Sequence, residues 1–100
     1  MLRTRLNRIA ADPAALDRCL AYIEREIRAV LEAQPGSLGI SLLEDRERGG
    51  AIFGSVWVSS QEMSRSEDTE APLRGELARQ AGGPVTVEDY TLVFSSVREP

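Results

Sequence analysis

The chain contains no histidine and no lysine, and its single cysteine is Cys19. Without histidine there can be no Ser–His or Cys–His nucleophilic pair, no histidine-ligated metal and no proximal-histidine haem. One cysteine cannot form an intramolecular disulfide, and the usual zinc spacings are missing. Cys19 therefore reads as a small core residue on a helix. Any catalysis must use carboxylates, arginine, tyrosine, amides or the substrate's own reactivity. Arginine is the only basic residue type, the net charge is −4, and no basic stripe alternates with aromatics. A nucleic-acid partner is not expected from that pattern. No apolar run approaches the roughly 20 residues needed to span a bilayer, so no membrane partner is expected. Met1 to Leu6 lacks the apolar centre of a signal peptide, and a cytoplasmic protein is the expectation.

With 100 residues the chain is read as one domain. A chain of this size buries a modest fraction of its surface, so self-association would add core. Leu2 to Ala10 alternates as a strand, with Leu2, Thr4 and Leu6 on one face and Arg3, Arg5, Asn7 and Ile9 on the other. Asp12-Pro13 is a helix start, because aspartate accepts from orphan N–H groups and proline suits the first helical position. Leu16, Cys19, Leu20, Ile23, Ile27, Val30 and Leu31 then form one apolar helical stripe, ended by Pro35-Gly36. Leu38 to Leu43 and Ala51 to Val58 read as a hairpin, its polar turn closed by Gly49-Gly50. Gly39 and Gly54 fall inside these strands, where they mark a bend or a close approach.

Ser59 to Glu62 has the form of a capping box. A short helix follows, with Met63 as its apolar residue, and Pro72 is expected to interrupt it. A second helical piece is predicted over 71–80, with Leu73 and Leu77 inward, stopped by Gly82-Gly83-Pro84. The acidic residues Glu67, Asp68 and Glu70 read as a solvated face. A fourth strand is predicted over 85–95. Tyr90, Leu92 and Phe94 are out of step with Val85 and Val87 there, so a bulge near Glu88-Asp89 is expected. The tail from Val97 to Pro100 is expected to fray.

The element order is β-α-β-β-α-β, the ferredoxin-like α+β pattern with an antiparallel sheet. Both helices then cover one face. The other face is apolar too, and a face-to-face homodimer, forming an α+β barrel, is the simplest cover for it.

Asn7 is the leading site candidate: an amide on the inward face of the first strand can donate to a carbonyl or a developing oxyanion. Arg5 shares that face and could stabilise an enolate or pair an acidic group. Tyr90 is a reserve phenolic acid or hydrogen-bond donor. Trp57 is a large packing residue. The interrupted helical segment carrying Met63, Ser66 and Leu73 is where a pocket mouth is expected, with Arg65 beside it.

The block Pro35-Gly36-x-x-Gly39-x-x-Leu42, followed by Phe53-x-x-x-Trp57-x-Ser59, resembles the antibiotic biosynthesis monooxygenase domain of the dimeric α+β barrel superfamily. The resemblance spans nearly the whole chain. It implies a pocket between sheet and helices, lined by Asn7, Arg5, Trp57, Met63, Ser66 and Leu73. Asn7 stands where the haem-degrading members carry a first-strand asparagine. Ser66, nine residues after Trp57, replaces their helix tryptophan and the histidine that quinol-oxidising relatives often carry near that position. The reading is a cofactor-independent monooxygenase acting on a small aromatic or quinol-like substrate, with no cofactor and no metal. The alternative from a different class is a non-catalytic small-ligand binding or assembly module.

Overall fold

The computed structural model describes residues 1–98 and 100. Four strands, β1 (Arg3–Ala10), β2 (Ser37–Asp45), β3 (Gly50–Trp57) and β4 (Thr86–Thr91), form one antiparallel sheet in the order β2-β3-β1-β4. The helices lie between them in sequence: α1 (Pro13–Tyr22), a π-helical segment (Ile23–Ile27), α2 (Arg28–Glu32), α3 (Ser60–Arg65) and α4 (Glu67–Ala81). This is the ferredoxin-like arrangement read from the sequence.

Asp12 starts α1 by accepting from the Ala15 N–H at 2.8 Å, with Pro13 at the first turn. The buried stripe runs Leu16, Cys19, Ile23, Ile27, Leu31. Its last three steps are of four residues, and each such step drifts about 40° around an α-helix. The wider π-turn at Ile23–Ile27 takes up that drift, which keeps Ile23, Ile27 and Leu31 against the sheet.

The alternation in β1 and β3 is clean. Arg5, Asn7 and Ile9 of β1 and Ala51, Phe53, Ser55 and Trp57 of β3 are buried under the helices. Leu6, Arg8, Ile52, Gly54 and Val56 point to the opposite, open face. At Gly54 a Cβ would lie 3.1 Å from Leu6 Cδ2, so the leucine methyl would have to give by a few tenths of an ångström. In β2 the pairing slips between Ser37 and Gly39, which leaves Leu38 outside the ladder and 55% exposed. The open face carries Leu2, Leu43 and Tyr90, all substantially exposed.

Three expectations need correction. Pro72 does not interrupt the second helical region. The break falls at Ser66, and Pro72 lies inside a continuous α4. The missing proline N–H orphans only the Asp68 carbonyl, on an exposed turn where water can take its place. The fourth strand ends at Thr91 rather than Ser95, because its partner β1 begins at Arg3, opposite Thr91. The Leu92 N–H to Leu2 carbonyl bond at 3.0 Å is the last step of the ladder. No bulge is needed at Glu88-Asp89, since Val85 precedes the strand and the register with β1 is unbroken. Of the tail, Val97 is exposed, and Glu99 lies outside the described residues.

Candidate functional site

The helix-covered face of β1 holds a polar cluster in an otherwise apolar interior. Arg5 is 7% exposed and reaches three carboxylates. Its Nε donates to Asp89 Oδ1 at 2.9 Å and its Nη2 to Asp89 Oδ2 at 3.3 Å. Its Nη1 donates to Glu67 Oε2 at 2.8 Å and Glu70 Oε2 at 3.1 Å. The register explains the Asp89 fork, because Arg5 and Asp89 are direct cross-strand partners. Burial works against the Arg5 charge, but the Asp89 hydrogen bond and the charges of Glu70 and Asp89 outweigh it. The guanidinium pKa is held above its ordinary value.

Glu70 is 2% exposed, and its solvated-face reading is therefore corrected. Its Oε2 also contacts the Ser66 hydroxyl at 2.7 Å. Ser66 itself is buried at the junction of α3 and α4, 2.7 Å from the Met63 carbonyl. One turn beyond Glu70, Arg74 donates from Nη2 to Glu67 Oε1. Its Nη1 stands 3.7 Å from Glu70 Oε1. Burial and the like charge of Arg5 lower the Arg74 pKa, with Asp89 acting in the other direction.

Asn7 lies two residues along β1 from Arg5 on the same face, about 7 Å away. It is fully buried; its Nδ2 donates to the Phe53 carbonyl at 3.5 Å, and its Oδ1 has no hydrogen-bond partner among the described residues. Glu70 Oε1 and Arg74 Nη1 are likewise buried, with no hydrogen-bond partner among the described residues. Trp57 Nε1 is satisfied by Ser55 Oγ at 2.8 Å. Met63 is buried in the core, and Leu73 packs at its edge. A cavity of about 240 Å³ lined by Gln34, Pro35, Glu62, Arg65 and Ser66 opens beside this junction. Among the described residues no group of three or more Asp, Glu, Cys or His side chains could hold a metal ion.

The structure thus brings Asn7, Arg5, Ser66, Trp57, Met63 and Leu73 to one side of the sheet. Tyr90 stands on the other side, opposite Thr4, and is 47% exposed. Its hydroxyl donates to Glu88 Oε2 at 2.5 Å, which raises the phenol pKa and lowers that of Glu88. Glu70 and Arg74 are the site residues that sequence reasoning passed over. The signal was present: Met63, Ser66, Glu70 and Leu77 recur at three, four and seven residues, one buried stripe once Pro72 is accepted inside the helix.

The fold is that of antibiotic biosynthesis monooxygenase-like domains. The structure of Rv0793 from Mycobacterium tuberculosis superposes with a TM-score of 0.78 at 14% identity, covering 97% of this chain and 100% of that one. A monooxygenase from the gene ActVA-Orf6 of Streptomyces coelicolor, in complex with nanaomycin D, gives 0.75 at 14% identity, over 98% and 92%. SnoaB, a cofactor-independent oxygenase from Streptomyces nogalater, gives 0.73 at 20% identity, over 94% and 95%. In sequence, the uncharacterized proteins Rv2557 and Rv2558 of M. tuberculosis (strain ATCC 25618 / H37Rv) are 30% and 31% identical over 88 and 90 residues. Those matches cover 88% and 90% of this chain but 39% and 38% of the relatives, so the chain spans well under half their length. No protein-family model matches the chain. Among the described residues no helix is long and apolar enough to cross a membrane.

Proposed function

We propose that the helix-covered face of β1 binds a small electron-rich aromatic or quinol-like molecule and supports its cofactor-independent oxygenation. The observation that carries the reading is Asn7 Oδ1, a fully buried acceptor with no partner in an apolar interior. Buried polar atoms are ordinarily paired, and one left open marks where a ligand's polar group fits. The Asn7 carbonyl would accept from a substrate hydroxyl while its amide donates to the oxygen that gains negative charge. Trp57, Met63, Ser66 and Leu73 would supply the apolar and short polar walls. Arg5 is saturated by carboxylates, so its role is to hold β1, α4 and β4 in register around the site. Tyr90, across the sheet, has no part in this geometry.

The substrate anion gives up electrons to O₂, one oxygen atom entering the product and the other leaving as water with two substrate hydrogens. The protein needs only to bind, exclude water and stabilise the anion. Structural neighbours that include monooxygenases support the reading at the level of fold. Oxygen consumption by the purified chain with a panel of hydroquinones and anthrones tests it. Uptake above the uncatalysed rate is expected with at least one of them, and none with any would overturn it.

The binding-module alternative draws on a specific feature: Arg5, Glu67, Glu70, Arg74 and Asp89 are all held in ion pairs, an arrangement that suits a fixed binding wall. A ligand that raises the Tm without being turned over would favour it. We further propose that the open face, with exposed Leu2 and Leu43, pairs with a second copy of the chain. Light scattering should then give twice the monomer mass.

A further inference from the structure

The interior holds a second open feature, distinct from Asn7. Glu70 Oε1 and Arg74 Nη1 face each other as an ion pair at 3.7 Å, beyond hydrogen-bond reach, and neither has a hydrogen-bond partner among the described residues. The Glu70 side chain is 2% exposed, so bulk water does not satisfy its oxygen. Its other oxygen is fixed from two sides, by Ser66 Oγ at 2.7 Å and Arg5 Nη1 at 3.1 Å. Arg74 Nη2 is paired with Glu67.

One atom is an acceptor and the other a donor. A group that both accepts and donates would complete the two at once, and the common group with that property is a hydroxyl. A carbonyl would satisfy Arg74 alone, an ammonium would satisfy Glu70 alone, and an ether oxygen could not donate to Glu70.

We propose that Glu70 and Arg74 form a hydroxyl-recognition pair, which selects a phenolic hydroxyl of the bound aromatic. The inference rests on the reading that the helix-covered face binds such a molecule. The phenol oxygen accepts from Arg74 Nη1 and its proton points at Glu70 Oε1. Breaking the O–H bond moves that proton to Glu70 Oε1 and leaves the electron pair on the phenolate oxygen beside the Arg74 guanidinium. Glu70 is thus the proton acceptor that the chain, having no histidine, otherwise lacks. Arg74 supplies the charge that holds the anion.

The test is an anaerobic titration of the full chain, followed by the emission of Trp57, with hydroquinone and with 1,4-dimethoxybenzene. Excluding oxygen separates binding from turnover. Hydrogen bonds to charged groups predict that hydroquinone binds at least about 10-fold tighter than its dimethyl ether. In Arg74→Met and in Glu70→Gln that preference should fall below about threefold, with the affinity for the ether little changed. Arg74 is the nearer of the two to solvent, so its variant serves should Glu70→Gln fail to fold. Equal affinity for the two compounds in the wild type, or an undiminished preference in Arg74→Met, overturns the hydroxyl pair and leaves the binding face standing. Failure of both compounds to bind overturns the pair and the binding face together.

Discussion

Removing the Arg5 charge while keeping its length, as in Arg5→Met, strands three carboxylates, but they do not weigh equally. The side chains of Glu67 and Asp89 are 42% and 36% exposed and can rehydrate, so losing either pairing costs a fraction of a kcal/mol. Glu70 is 2% exposed and cannot. Breaking a buried pair on one side typically costs about 3–5 kcal/mol, and Arg74 at 3.7 Å offsets part of it. The expected loss at pH 7 is about 3 kcal/mol, a large share of the roughly 5–15 kcal/mol that holds a domain together. The assay is urea denaturation followed by the fluorescence of Trp57, the single tryptophan and fully buried. The cause is checked by the double variant Arg5→Met/Glu70→Gln, which removes the stranded charge and should recover a substantial part of the loss. A loss under about 1 kcal/mol in the single variant, or no recovery in the double, would refute the view that Glu70 needs Arg5.

Both tyrosines are expected to titrate above the ordinary phenol range, Tyr22 through burial and the charges of Glu76 and Glu26, and Tyr90 through its bond to Glu88. Ultraviolet titration should find less than half of the phenols ionised at pH 10; half or more would refute it. By linkage, raised folded-state values contribute stability that is present below the unfolded phenol pKa and is lost as pH rises through the folded values. Gly36→Ala should lower the Tm by about 8 °C or more. The backbone there has φ +81°, and a Cβ would meet Glu62 Cβ and Cγ at 2.6 Å, forcing α3 away from the turn. A Tm within about 2 °C of the wild type would show that the turn yields freely.

The strands that carry strict alternation were legible because the period of two fixes which side chains go inward. Arg5, Asn7 and Ile9 face the helices for that reason, and so do Phe53 and Trp57. The long helix was legible from its apolar stripe, but its π-turn was not, since a stripe gives the direction of burial and not the hydrogen-bond step. The fourth strand was misjudged beyond Thr91 because apolar Leu92 and Phe94 carry strand propensity, while strand length is set by the partner. Phe94 in fact stands 81% exposed. The polar cluster was hidden for a related reason. Local composition makes 64–70 look solvated, and only the crossing of α4 over β1 places Glu70 against Arg5. The buried arginine on β1 required a buried carboxylate, and that requirement could have been read from Arg5 once its face was assigned.

The proposed chemistry belongs to the helix-covered face of β1. Oxygen uptake with the hydroquinone and anthrone panel, in the wild type and in Asn7→Ala, tests it most directly. Uptake is expected in the wild type and should fall about 10- to 100-fold in Asn7→Ala, the loss of one charge-assisted hydrogen bond to the reacting oxygen. Uptake that survives in Asn7→Ala but is lost in Tyr90→Phe would contradict it and move the chemistry to the open face.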